Sequence, residues 1–284
     1  MPTAARQHPL SRSRSFETKD GITLHSLYWG TEVQAAEKPA APVILLHGGG
    51  ANAHWWDAVA IQLALNRPLY ALEFRGHGDS SYPTKREVGA FNTDLEALVS
   101  SIGREDVVLI GHSMGAAVAL DHASRLQDTR GLVLVDPARG GPPGGGRRAR
   151  LALARRRTYP TREDAIARFQ FLPESSHPDE KIRSYIAEHS IRDEPNGRFG
   201  YKFDPKWFSL PSKPRPNLAD VRCQTLLVRG EASPLLSSET ARDFVSELPS
   251  AELIEIPGSG HHVLIDQPNR LFLVVETFLR SLGV

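Results

Sequence analysis

The 284-residue chain predicts an α/β fold, with a mostly parallel central sheet, helices on both faces, and a helical insert. Three observations carry this expectation. APVILL (41–46), VVLIG (107–111) and GLVLV (131–135) are apolar throughout rather than alternating, as strands covered on both faces are. Segments with helical spacing separate them. The alternation stops after Asp136 and resumes only at CQTLLVRG (223–230).

The elements follow in order. SFETKDGITLHSLYWG (15–30) reads as a β-hairpin turning at Asp20-Gly21. The strand at 41–46 runs into glycines, and HWWDAVAIQLAL (54–65) has helical spacing. RPLYALE (67–73) is a strand that ends in the turn RGHGDS (75–80). FNTDLEALVSSIG (91–103) is an amphipathic helix with Leu95, Leu98, Val99 and Ile102 on one face. VVLIG, an alanine-rich helix through Leu126, and GLVLVD (131–136) complete the first part of the core, residues 1–137. ARGGPPGGG (138–146) is a loop opening an insert at 138–215 that reads as helical and irregular, with no strong strand. The second part of the core, 216–284, holds the strand at 223–230, a helix at 237–248, a strand within AELIEIPGSGHH (251–262), and a last helix from about Asn269 to Leu282.

Composition narrows the class. The chain is 40% hydrophobic and 24% charged, with net charge +1, which gives no reason to expect nucleic acid or an anionic membrane as partner. Cys223 is the single cysteine, so no internal disulfide can form, which fits a reducing, cytoplasmic setting. MPTAARQHPLSRSRS lacks the apolar run of a secretory signal and reads as a disordered leader. No stretch has the length of a membrane span.

The chemistry starts at GHSMG (111–115), placed between an apolar strand and an alanine-rich helix. Gly-x-Ser-x-Gly in that setting is a nucleophile elbow. Side chains at 111 and 115 would collide with neighbouring backbone, and Ser113 is held in a strained conformation with its hydroxyl raised above the strand end. The amide of Met114, at the positive end of the helix dipole, points into the same space. Ala116, Ala117 and Ala119 are expected to keep the helix close to the sheet.

HGGG (47–50), RGHGDS (75–80), GHSMG (111–115) and GSGHHVLIDQP (258–268) occur together in an order and spacing that resembles the α/β-hydrolase family, across both halves of the core. The insert resembles the family's lid in position and helical character. The resemblance implies a histidine base directly after the second glycine, with an acid five positions on and a proline seven on. His261, Asp266 and Pro268 fit, and His262 is the alternative base. It also implies a second oxyanion donor after His-Gly, at Gly49, to pair with Met114. The usual acid position, in the loop after the next-to-last strand, holds Ser233, which cannot supply a charge. Asp136, ending the strand after the serine helix, is the assigned acid, and Glu231 is the alternative.

These residues predict a serine hydrolase that cleaves a carboxylic ester or lactone, with a small apolar substrate and no cofactor. Cleavage of carbon–carbon bonds, cofactor-free perhydrolysis and a receptor without turnover are rival readings. RGHGDS is read as a tight turn fixed by local hydrogen bonds. No histidine or carboxylate cluster has metal-ligand spacing along the chain. RRARLALARRR (147–157) is read as the solvated face of a helix with Leu151 and Leu153 turned inward. Trp55, Trp56, Phe169, Phe171, Trp207 and Phe208 are candidates to line a pocket, though each is also explained by packing.

Overall fold

The computed structural model describes residues 11–30, 40–65, 67–137, 150–211 and 213–284. Strands β1 (Arg12–Glu17), β2 (Thr23–Trp29), β3 (Val43–Leu46), β4 (Leu69–Glu73), β5 (Val108–His112), β6 (Gly131–Val135), β10 (Gln224–Gly230) and β11 (Ala251–Ile256) form one sheet in the order β1-β2-β4-β3-β5-β6-β10-β11. The β1–β2 and β2–β4 pairs are antiparallel and the rest are parallel.

Period-two geometry explains the apolar runs. Val43 and Leu45 of β3 face one apolar cluster, and Ile44 and Leu46 face the other. The first cluster is closed by α1 (Asp57–Leu63), α7 (Val263–Asp266) and α8 (Pro268–Ser281). The second is closed by α2 (Ala90–Ile102), α3 (Met114–Arg125) and α6 (Ser238–Ser246). On α2, Leu95, Leu98 and Val99 are buried, as their spacing requires.

Between β6 and β10 the chain leaves the sheet, and here the expectation of a strandless segment is corrected. β7 (Thr158–Tyr159), β8 (Ile191–Asp193) and β9 (Phe199–Tyr201) form a small antiparallel sheet ordered β7-β9-β8, beside α4 (Arg162–Ala167) and α5 (Glu180–His189). Strands of two or three residues are too short to show a period. The leader reading is also corrected: Arg12–Ser15 pair with Tyr28–His25 as an edge strand, exposed and polar because only one side has a neighbour. Residues 1–10 and the glycine-rich loop at 138–146 lie outside the described residues.

The RGHGDS turn makes the local bonds expected of it, from Gly76 N to Ser81 O (2.8 Å) and His77 N to Phe74 O (2.9 Å). It also fastens the insert. Gly78 N donates to Lys202 O (2.8 Å), and Asp204 N donates to Gly76 O (2.7 Å). Lys202 pairs with Asp79, and Arg86 with Asp204. Leu151 is 57% exposed rather than turned inward, because Arg150 uses its guanidinium to hold the carbonyls of Phe208 and Leu210, which fixes the face this segment presents.

Candidate active site

The site is assembled by adjoining strand ends. Register sets His112, the last residue of β5, beside Val135, the last of β6. Ser113 and Asp136 therefore leave neighbouring strands at the same level. Both have positive φ, 51° and 42°, in a region non-glycine residues rarely adopt. Ser113 is held there by its amide, which donates to Val135 O (3.0 Å), and Asp136 by its amide, which donates to Val228 O (2.7 Å).

The glycines of the elbow are needed for space. A Cβ on Gly111 would overlap the carbonyl of Gly115, and one on Gly115 would overlap the carbonyl of Leu46. Ala116 and Ala119 are fully buried against the sheet. Ala117 is not: it is exposed and lines the cavity above the elbow, which corrects its expected packing role. The difference follows from helical spacing, since 116 and 119 share a face and 117 is turned about 100° from 116.

Asp136 is fully buried and reaches His261, whose Nδ1 donates to Oδ1 at 2.8 Å. Ser233 Oγ donates to the same oxygen (2.7 Å), and Gly230 N donates to Oδ2 (2.9 Å). Glu231 is exposed and instead accepts from Gly258 N (2.9 Å), so the structure brings Asp136, not Glu231, to the histidine. Asp266 makes the loop bonds open to a carboxylate there. It accepts from Gly260 N (2.8 Å), and also from Ser176 Oγ and His177 N of the insert. Burial raises its pKa.

His262 points elsewhere. It is buried against Trp55 and Phe171, and neither ring nitrogen has a hydrogen-bond partner. Burial, then the neighbouring imidazoles of His261 and His112, hold its pKa well below the ordinary value, against the pull of the Leu172 and Pro173 carbonyls. His112, which sequence reasoning passed over, lies under the site. Its Nε2 meets the His261 carbonyl at 3.1 Å, its Nδ1 is unpartnered, and burial keeps it neutral.

Ser113, His261, His262, Gly49 and Met114 line one cavity of about 940 Å³. Met114 is the first residue of α3, so its amide has no acceptor within the helix. Gly49 follows β3 and abuts Phe208 of the insert. Of the aromatic candidates, Trp55, Trp207 and Phe208 line the cavity, whereas Trp56, Phe169 and Phe171 are buried in packing. Insert residues also reach the histidine loop, where His261 N donates to Ser175 Oγ (3.1 Å). Among the described residues, no helix is long and apolar enough to cross a membrane.

Comparison with known proteins places this geometry. The chain is 26% identical over 289 residues to a (lyso)-N-acylphosphatidylethanolamine lipase of Bos taurus, covering 89% of this chain and 83% of that protein. It is 27% identical over 273 residues to esterase Rv0045c of Mycobacterium tuberculosis, covering 90% and 86%. The crystal structure of an alpha/beta hydrolase from Novosphingobium aromaticivorans is similar with a TM-score of 0.78 at 25% identity, covering 95% of this chain and 98% of that one. The model of the alpha/beta hydrolase family matches residues 43–273, which hold the elbow, the Asp136 turn and the histidine loop, and the chain belongs to that family.

Proposed function

We propose that the protein is a serine hydrolase that cleaves carboxylic esters or lactones of apolar acyl groups through an acyl-enzyme on Ser113. The observation that carries this reading is the buried Asp136–His261 bond. A carboxylate accepting from Nδ1 fixes the tautomer, leaving the Nε2 lone pair as a base and stabilising the imidazolium that forms. Ser113 Oγ, in the same cavity, attacks the carbonyl as His261 takes its proton. The amides of Gly49 and Met114 hold the oxyanion, each worth about a hundred- to a thousandfold in rate. The leaving alcohol takes the proton from His261, and water repeats the cycle on the acyl-enzyme.

The substrate class rests on the cavity wall. Val118, Leu153, Leu172, Trp207, Phe208 and Leu210 give it a mainly apolar lining, and most of these belong to the insert at 138–215, which acts as a lid. The two named relatives above, a lipase and an esterase, support ester chemistry. The single, half-buried Cys223 fits a cytoplasmic enzyme.

A fluorophosphonate probe and a chain-length series of p-nitrophenyl esters, with lactones beside them, test the proposal. Labelling is expected on wild type and lost in Ser113→Ala. The kcat/KM is expected to rise at least about tenfold from acetate to octanoate, as apolar burial adds about 0.8 kcal/mol per CH₂. Asp136→Asn should lower kcat about a thousand- to ten-thousandfold. Labelling that persists in Ser113→Ala, or a wild-type kcat in Asp136→Asn, would overturn it.

A further inference from the structure

We infer that His112, His261 and His262 form a binding site for a zinc-class transition-metal ion, and that its occupation shuts off the enzyme by taking the base. The last clause rests on the reading of His261 given above. The site exists only in the fold: His112 is 149 residues from His261 along the chain. One ring nitrogen of each histidine lies within 4.8 Å of the other two, and all three rings line the cavity, which gives an ion a route in.

Two of the three rings make the hydrogen bond that metal-ligating histidines make. Such a ring donates its far N–H to a carboxylate or a backbone carbonyl, which orients it and leaves the other nitrogen free. His261 does this through Nδ1 to Asp136, and His112 through Nε2 to the carbonyl of His261. His112 Nδ1 has no partner, and His262 has none on either nitrogen, although all three rings are buried. Buried nitrogens without partners are costly, and an ion would satisfy them. Nitrogens around a tetrahedral zinc stand about 3.4 Å apart, as follows from Zn–N bonds of about 2.0–2.1 Å, so the rings must close by up to about 1.4 Å from their spacing of at most 4.8 Å. His262 makes no hydrogen bond that this shift would break, although the Leu172 and Pro173 carbonyls lie close enough to act on its charge. Three imidazoles leave a fourth position for water, and an all-nitrogen set selects zinc, cobalt, nickel or copper over magnesium. No step of the hydrolysis proposed above uses an ion. A metal on His261 Nε2 removes the proton acceptor, so the ion inhibits.

The full chain, freed of metal with a chelator, is titrated with Co²⁺ alone and the visible absorption of low-coordinate cobalt is followed. Ester hydrolysis is then measured with Zn²⁺ or Mg²⁺. Wild type is expected to bind one equivalent of Co²⁺, to release it to Zn²⁺, and to be inhibited by Zn²⁺ but not Mg²⁺. In His262→Phe the phenyl ring keeps the contacts with Trp55 and Phe171. This variant should bind Co²⁺ at least about tenfold more weakly and require a similarly higher Zn²⁺ concentration for inhibition. Because His262 lines the cavity, the variant's inhibition by Zn²⁺ is referred to its own rate in chelator. His262→Gln, with circular dichroism to confirm folding, is expected to behave the same way. Cobalt absorption missing from wild type, equal Zn²⁺ inhibition of both variants and wild type, or equal inhibition by Mg²⁺ overturns the site. The cobalt spectrum is read without substrate. A site that binds Co²⁺ in a protein with no turnover would therefore sink the base assignment alone, and turnover without the spectrum would sink the metal site alone.

Discussion

Ser233 stands where the family resemblance calls for an aspartate, and its hydroxyl donates to the buried carboxylate of Asp136, at the end of another strand (2.7 Å), which the proposal above makes the acid. Asp136 lies at the end of β6, and the position where the resemblance expects the acid is tied to it by this hydrogen bond. A bond to a charged group in a buried site contributes about 1.5–3 kcal/mol. Ser233→Ala leaves Asp136 with two of its three side-chain partners, His261 and Gly230 N. The expected result is a fall in kcat of about tenfold with KM little changed, because the lost interaction steadies the imidazolium rather than the bound substrate. An unchanged kcat would show that Ser233 is only filling space. At this scale the sequence is partly readable. Ser113 is marked by flanking glycines, and His261 by the glycines before it, because both need backbone space that only those residues leave. The bond from Ser233 to Asp136 is invisible along the chain, since it depends on β6 and β10 being neighbours in register.

Among the elements, β5, β6 and β10 were legible because burial on both faces keeps an uninterrupted apolar run in each, VLI (108–110), LVLV (132–135) and LLV (226–228), with polar residues only at the strand ends. The strands of the insert were not, being too short and flanked by loop-like composition. The antiparallel β2–β4 pair shows a third case, where a polar pair sits inside an apolar strand. Register sets His25 opposite Glu73, and their side chains bond at 2.8 Å. Burial alone would lower the His25 pKa, but the hydrogen bond and charge of Glu73 outweigh it and raise it. Burial likewise opposes the Glu73 carboxylate, but the bonds from His25, Asp79 N and Ala53 N leave its pKa lowered. Asp79, paired with Lys202, and Ser13, bonded to His25 Nε2, are the other polar groups facing this pair. A raised histidine pKa contributes stability that is present below the unfolded value of about 6.5 and is lost as pH rises through the folded value. A lowered glutamate pKa contributes stability present above about 4.5 and lost as pH falls. The difference in Tm between wild type and His25→Gln should therefore be largest near about pH 5.5–6.5 and shrink toward pH 9. A difference that stays constant across that range would mean the pair acts through shape alone.

For the whole molecule, the question is how substrate reaches a cavity roofed by the insert. Three fastenings restrain that roof. Asn52 donates to Ser190 Oγ (3.1 Å), and Tyr185 to Asp57 (2.5 Å). The Gly76–Asp79 turn is bonded to Lys202 and Asp204. The histidine loop is bonded to Ser175, Ser176 and His177. A flap swinging about one hinge would have to break all three, which together cost several kcal/mol at about 1 kcal/mol per hydrogen bond. The remaining margin is formed by residues 150–154 and 207–211, joined to each other by Arg150 and laid over the cavity beside exposed Leu151 and Ala117. Among the described residues, the backbone hydrogen bonds of this margin stay within the insert, so we expect substrate to enter here. Hydrogen exchange read residue by residue should find the amides of Gly78, Lys202 and Asp204 exchanging only with global unfolding, while those of 150–154 and 207–210 exchange at least about a hundredfold faster through local opening. An inhibitor bonded to Ser113 should slow the second group and leave the first unchanged. Fast exchange at 202–204 would instead mean that the whole insert lifts.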